Sequence, residues 1–153
     1  IDCLFGADIS YVLPGHHLNQ SGDASGLLVG GNLSMLYSLC GSTSDLDTRG
    51  KILFLEDLDE YLYHVDRMMM NLKRTGKLDN LAGLIVGGMS DMRDNTIPFG
   101  KDAEQIILEH TVEYGYPIYF SFEAGHQKLN KALRFGLRAE IKDNRLLLSS
   151  NLA

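Results

Sequence analysis

The sequence predicts an α/β fold built on a mixed β-sheet, and three features predict it. Residues 51–55 (Lys-Ile-Leu-Phe-Leu) and 84–86 (Leu-Ile-Val) are continuous apolar runs, the pattern of strands covered on both faces. Segments with helical spacing of apolar residues lie at about 60–74 and 101–114, each after one of those runs. Near the end, Phe135, Leu137, Ala139 and Ile141 alternate with Arg134, Arg138, Glu140 and Lys142, and a period of two marks a half-buried strand. Strands alternating with helices, then a hairpin, give an α/β domain whose sheet is mixed.

Taken in order, residues 1–26 hold Pro14-Gly15, Ser21-Gly22 and Ser25-Gly26 with little periodicity. They read as a connecting segment with one short strand at 9–13, and residues 27–153 read as the domain proper. A strand at 27–29 runs into Gly30-Gly31-Asn32, where the glycines predict a tight turn. Asn32 is placed to cap a helix over 33–39, which Gly41 ends. The strand at 51–55 leads into Glu56, Asp57, Asp59 and Glu60. In the helix at 60–74, Tyr61, Val65, Met68, Met69 and Leu72 share a face. Acids at its start and Lys73 and Arg74 at its end suit the helix dipole. Two of the three consecutive methionines, 68–70, fall on core positions, and the third must point away. A strand at 84–86, a helix at 101–114 and a strand at 117–120 follow. That last strand leads into the glycine turn at Gly125-His126. Asp143-Asn144 turns the half-buried strand back into residues 146–148 as a hairpin.

Composition excludes several classes. A length of 153 residues suits one domain, and 44% hydrophobic with 22% charged residues is an ordinary globular balance. No apolar run reaches the ~18 residues of a membrane span. A net charge of −6 argues against nucleic acid, which needs a clustered basic face. Cys3 and Cys40 read as free thiols, since a domain of this size needs no covalent staple, and cytoplasm is the default location. The opening Ile1-Asp2-Cys3 reads as neither signal nor transit peptide, and the absence of a first methionine suggests a fragment or a processed product.

Two residues are candidates for chemistry by position. Glu56 sits where an apolar strand ends, and the carboxyl ends of strands are where sites gather in α/β sheets. The bland alternative is an acid in the first turn of the next helix. His126 follows Gly125 just past another strand, where an imidazole can act as a general base, the alternative being a surface histidine in a loop. Since both lie just past strands of one sheet, they can face each other. Other features carry less. Asp57, Asp59 and Glu60 have no His or Cys at ligand spacing, which argues against a metal. His16 and His17 read as loop residues, and His64 and His110 as structural or solvated ones on helices. Gly88-Met89-Ser90-Asp91-Met92 begins like a nucleophile elbow but has Met92 where the pattern needs glycine. That leaves Ser90 a poor nucleophile. Gly30-Gly31-Asn32 before a helix can bind an anion, but a structural turn is the better reading.

Four stretches in this order resemble the LD-carboxypeptidase family, which includes the microcin C self-immunity proteins. They are 28–34 (Leu-Val-Gly-Gly-Asn-Leu-Ser), 50–57 (Gly-Lys-Ile-Leu-Phe-Leu-Glu-Asp) with Tyr63, Asp66, Arg67 and Met68, 83–87 (Gly-Leu-Ile-Val-Gly), and Gly125-His126 with Asn130 and Gly136. The resemblance covers residues 15–141 and implies a swivelling β/β/α domain, the C-terminal half of a two-domain enzyme. It implies that Glu56 is the acid and His126 the base of a Ser-Glu-His triad. The serine and the oxyanion hole would belong to an N-terminal domain upstream of this chain. The implied reaction removes terminal D-alanine from murein tetrapeptides during peptidoglycan recycling in the cytoplasm, with no metal or cofactor, and implies a homodimer as the common assembly. Alone, the chain would be inactive, lacking nucleophile and oxyanion donors. Two other readings are an amide hydrolase of the microcin-immunity type, disfavoured by the absence of tryptophan, and a non-catalytic binding or assembly domain of the same fold. One departure stands out: where the family often has Leu-Pro-x-Gly, this chain has Leu133-Arg134-Phe135-Gly136.

Overall fold

The computed structural model describes residues 7–149; Cys3 lies outside them, as does its proposed state. One seven-stranded sheet runs through the domain. Its strands are β1 (Ile9–Val12), β2 (Ala24–Asn32), β3 (Ile52–Leu58), β4 (Gly83–Ser90), β5 (Ile118–Tyr119), β6 (Arg138–Lys142) and β7 (Arg145–Leu148). The spatial order is β1-β7-β6-β2-β3-β4-β5. Strands β2 to β5 are parallel, and β6, β7 and β1 add antiparallel pairs beyond β2. The mixed α/β sheet read from the sequence is therefore present.

Helices α1 (Leu33–Leu39), α2 (Leu62–Arg74) and α3 (Ala103–Thr111) connect the parallel strands. Each crossover advances the sheet in the same direction, so crossovers of one hand put all three helices on one face. Leu33, Val65, Met68, Met69, Leu72, Ile106 and Ile107 pack there with Leu53, Leu55, Leu84 and Val86. The opposite face is covered by the sheet's own curl. Ile52, Phe54 and Ile85 meet Ala139, Ile141, Leu146 and Leu148 of the β6–β7 hairpin. The runs at β3 and β4 are apolar throughout because each alternate residue enters a different core, and a fully buried Leu, Ile or Phe contributes about 1.5–3 kcal/mol.

Local signals fix most boundaries. Asn32 caps α1, accepting from the Met35 N–H. Asp102 and Gln105 form a capping box at α3. Met68 and Met69 are buried while Met70 is exposed. Asp143 and Asn144 both have positive φ, the geometry of a two-residue hairpin turn. Other boundaries move. The helix expected over 101–114 starts at Ala103, and its last turn, Val112–Tyr114, is 3-10 helix. The strand expected over 117–120 pairs only at Ile118–Tyr119, because Ser121 takes φ 58° and turns the chain off the sheet. The alternation expected from Phe135 holds only from Arg138 on, and Phe135 itself is exposed. Among the described residues no helix is long and apolar enough to cross a membrane.

Gly30-Gly31 is not a turn. Both glycines lie inside β2, paired with Phe54 and Leu55 of β3. Gly30 has φ 130°, and a Cβ there would lie 2.0 Å from the Phe54 carbonyl oxygen. A side chain would force β2 away from β3. Strained φ and overpacking each cost about 1–3 kcal/mol, so Gly30→Ala is expected to destabilise the domain by about 2–6 kcal/mol, read as a lower urea midpoint. A variant as stable as the parent would show that this close approach is not required.

Candidate active site

Residue alternation along β3 sends neighbouring side chains to opposite faces, and this separates two adjacent carboxylates at its carboxyl end. Glu56 turns to the face of the β6–β7 hairpin, and Asp57 to the helical face. Both are buried. Asp57 Oδ1 accepts from Asn32 Nδ2 at 2.8 Å and from the Leu58 N–H, and Oδ2 accepts from the Ser34 N–H at 2.9 Å. Asp57 therefore ties the start of α1 to the end of β3. Burial pushes its carboxyl above the ordinary value, against the lowering effect of those hydrogen bonds.

Glu56 meets His126, seventy positions later. Past β5, the chain from 122 to 126 turns back over the ends of β3 and β4. The Phe122 N–H donates to the Val86 carbonyl at 3.0 Å, and the Gly88 N–H to the Ala124 carbonyl at 3.0 Å. Gly125 then passes directly over Glu56. It has φ 105°, and a Cβ on it would lie 2.6 Å from Glu56 Oε2 and 2.9 Å from Glu56 Cβ. Only glycine fits. The result is a two-point contact on one oxygen: Glu56 Oε2 accepts from the His126 N–H at 3.1 Å and from His126 Nδ1 at 2.8 Å.

This geometry fixes the tautomer. An ionised carboxylate only accepts hydrogen bonds, so Nδ1 carries the proton and Nε2 of the neutral ring is an acceptor. The acid's side chain is 7% exposed and the histidine's 55%. A shielded carboxylate thus orients an imidazole that faces solvent. The Glu56 hydrogen bond and charge hold the His126 pKa above its ordinary 6.5, with a smaller push from Asp57. Beside the pair, Gly31, Phe54, Asn130, Lys131, Leu133 and Phe135 help line a cleft of about 290 Å³. Phe135 lies against Phe54, ring centroids 5.9 Å apart.

The remaining candidates are dispersed. Asp59 pairs with Arg93, which also lies over the Tyr61 ring at 5.8 Å. Glu60 pairs with His64 at 2.7 Å. With Asp57 bound to α1, the acidic run serves three separate purposes. Among the described residues no three His, Cys, Asp or Glu side chains converge on a metal position. His110 is buried and bonded to Asp66 at 2.8 Å; His16 pairs with Glu104 at 3.2 Å and contacts His17. Ser90 closes β4 opposite Leu58 and makes no hydrogen bond to His126. Sequence reasoning missed Asp57's structural role. The signal was available, since strand periodicity puts consecutive acids on opposite faces. It also missed Gln127, whose side chain bonds the Phe122 and Ala124 carbonyls at 2.8 and 3.0 Å, and for which no local pattern exists.

The sequence profile described as the LD-carboxypeptidase C-terminal domain matches residues 25–141. Over 122 residues the chain is 39% identical to the probable murein peptide carboxypeptidase of Bacillus subtilis (strain 168), covering 77% of this chain and 37% of that protein. It superposes on the crystal structure of muramoyltetrapeptide carboxypeptidase from Oxalobacter formigenes with a TM-score of 0.80 and 29% identity, over 92% of this chain and 49% of that one. The microcin C7 self-immunity protein matches at a TM-score of 0.75 and 24% identity, over 88% of this chain and 40% of that one, a likeness of fold. The chain thus spans less than half the length of each of these proteins.

Replacing Glu56 by glutamine removes the charge that raises the His126 pKa. NMR titration of the imidazole is expected to show a midpoint above about 6.5 in the parent, and a lower one in Glu56→Gln. The pair's stabilisation is complete below about pH 6.5 and is lost as pH rises through the raised folded value. Equal midpoints in the two proteins would mean that the carboxylate does not act on the ring.

Proposed function

The chain belongs to the LD-carboxypeptidase family, as its C-terminal domain, and from that membership we propose that it supplies the acid and base of a serine-type peptidase. The substrate is a murein tetrapeptide, and the bond cut is the L–D bond to the terminal D-alanine. The single observation that carries this reading is the contact between a buried Glu56 carboxylate and both N–H groups of an exposed His126. That arrangement leaves Nε2 as a free acceptor, which is what a general base needs.

In the proposed reaction, His126 Nε2 takes the proton from a serine hydroxyl as its oxygen attacks the scissile carbonyl carbon. The ring becomes an imidazolium, stabilised by Glu56 across the 2.8 Å contact. It then protonates the departing amine of D-alanine, and a water, deprotonated by the same nitrogen, releases the tripeptide from the serine. Glu56 stays ionised and holds the tautomer. The serine and the oxyanion donors come from a partner domain of the same full-length protein. An exposed imidazole suits this division, since a base buried within its own domain would not reach a nucleophile on another. The setting we propose is peptidoglycan recycling in the cytoplasm.

The test is D-alanine release from murein tetrapeptide by the full-length protein. Glu56→Ala and His126→Ala are each expected to lower kcat/KM by about 10²–10⁴-fold, the range that general acid–base catalysis supplies. The isolated chain is expected to release none. Undiminished release in both variants would remove the pair from the mechanism. A folded full-length protein that ignores the tetrapeptide and cleaves an aminoacyl nucleotide conjugate would move the substrate to the microcin-immunity class.

A further inference from the structure

Resting on the acid–base reading above, we propose that Gln127 and Asn130 are positioning residues, whose side-chain amides clamp the 122–126 turn from two sides and hold His126 against Glu56. The turn needs such help. Strand β5 pairs over two residues only, and the chain has already left the sheet at Ser121. His126 therefore gains no placement from regular secondary structure.

The backbone of the turn is satisfied almost group by group. The Phe122 N–H is bonded to β4, the Glu123 carbonyl accepts from the Lys131 N–H at 2.6 Å, and the Gly125 carbonyl accepts from the Gln127 N–H at 2.9 Å. The Gln127 side chain folds back so that Nε2 donates to the Phe122 and Ala124 carbonyls at 2.8 and 3.0 Å. It lies against Gly88, where an added Cβ would stand 3.3 Å from Gln127 Cδ. From the other side, Asn130 Oδ1 accepts from the Gly125 N–H at 3.2 Å. Gly125 is the residue that passes over Glu56, so the Asn130 bond acts one peptide before His126. The two amides thus bond the carbonyl and the N–H of the same Ala124–Gly125 peptide, and the next backbone donor in line, the His126 N–H, is left to bond Glu56.

Polar side chains whose hydrogen bonds go to the turn backbone, and not to Glu56 or the imidazole, thus set how well the two meet. Reach and angle matter at a base, where a displacement of about 1 Å can lower rate about 10²-fold. The charged group facing His126 is Glu56, and Asp57, on the other face of β3, adds only a weaker push through space. On its own loop, Glu123 and Lys131 neutralise each other at 2.7 Å. Glu56 is the first cause of the raised His126 pKa, so the His126 titration responds to loss of the Glu56 contact.

The test compares Gln127→Met, which keeps the length and removes the donors, Asn130→Leu, which removes the acceptor, and Asn130→Asp, which retains it. Each is made in the full-length protein, with His126 titrated by NMR and tetrapeptide hydrolysis followed in parallel. Gln127→Met and Asn130→Leu are expected to lower the His126 midpoint and to reduce kcat about tenfold or more, with KM unchanged. Asn130→Asp is expected to restore kcat and to return the midpoint to the parent value or above it. Midpoint and kcat both unchanged in the folded variants would overturn the proposal. So would a fall in Tm with the midpoint unmoved, which is a purely structural effect. If Asn130→Leu does not fold, Gln127→Met decides alone. If the parent protein releases no D-alanine, the functional reading fails while the titration still decides the clamp.

Discussion

One carboxylate oxygen organises this end of the domain. Glu56 Oε2 accepts two hydrogen bonds from His126, one from its backbone and one from its ring. A charged acceptor strengthens both bonds. Because one bond holds the peptide and the other the imidazole, the ring cannot rotate freely without losing a contact. The rest of the site follows from bringing that oxygen within reach. β3 must place Glu56, two residues before its end, on the hairpin face, the 122–126 segment must cross above it, and the crossing residue must be a glycine.

The exposure of the two partners is as important as their distance. The carboxylate is shielded and the imidazole is open. Shielding keeps water from competing for the carboxylate, and the neighbouring charge then favours the protonated ring. The cost of burying Glu56 is offset by two donors, where a single one would leave the charge poorly compensated. An imidazole presented at the surface of its domain is open to groups outside that domain.

Adjacent carboxylates with unrelated roles show how strongly strand geometry divides labour. Glu56 and Asp57 are both buried and both follow the same apolar run, yet one holds an imidazole and the other holds the N-terminus of α1. Asp57 is linked to Asn32, which sits in register beside Glu56 on β2. The close packing of β2 on β3 at Gly30 thus bears on both faces of the site at once.

The sequence by itself determined the order of strands and helices, the two-sided burial of β3 and β4, the cap at Asn32 and the turn at Asp143-Asn144, and the placement of His126 past a strand end; Glu56, expected just past its strand, lies within β3 near its carboxyl end. These are local properties, set by periodicity, capping chemistry and turn preference within a few residues. The motif set also marked the family, since it depends only on residue order. Tertiary structure alone decided that Gly30-Gly31 lies inside a strand, that β5 stops after two residues, and that Glu56 and His126 meet at 2.8 Å. It decided too that Gln127 and Asn130 brace the turn between them. Each of these depends on strand register and on the curl of the sheet, which are fixed by packing between residues far apart in the chain and leave no periodic trace in the sequence near them.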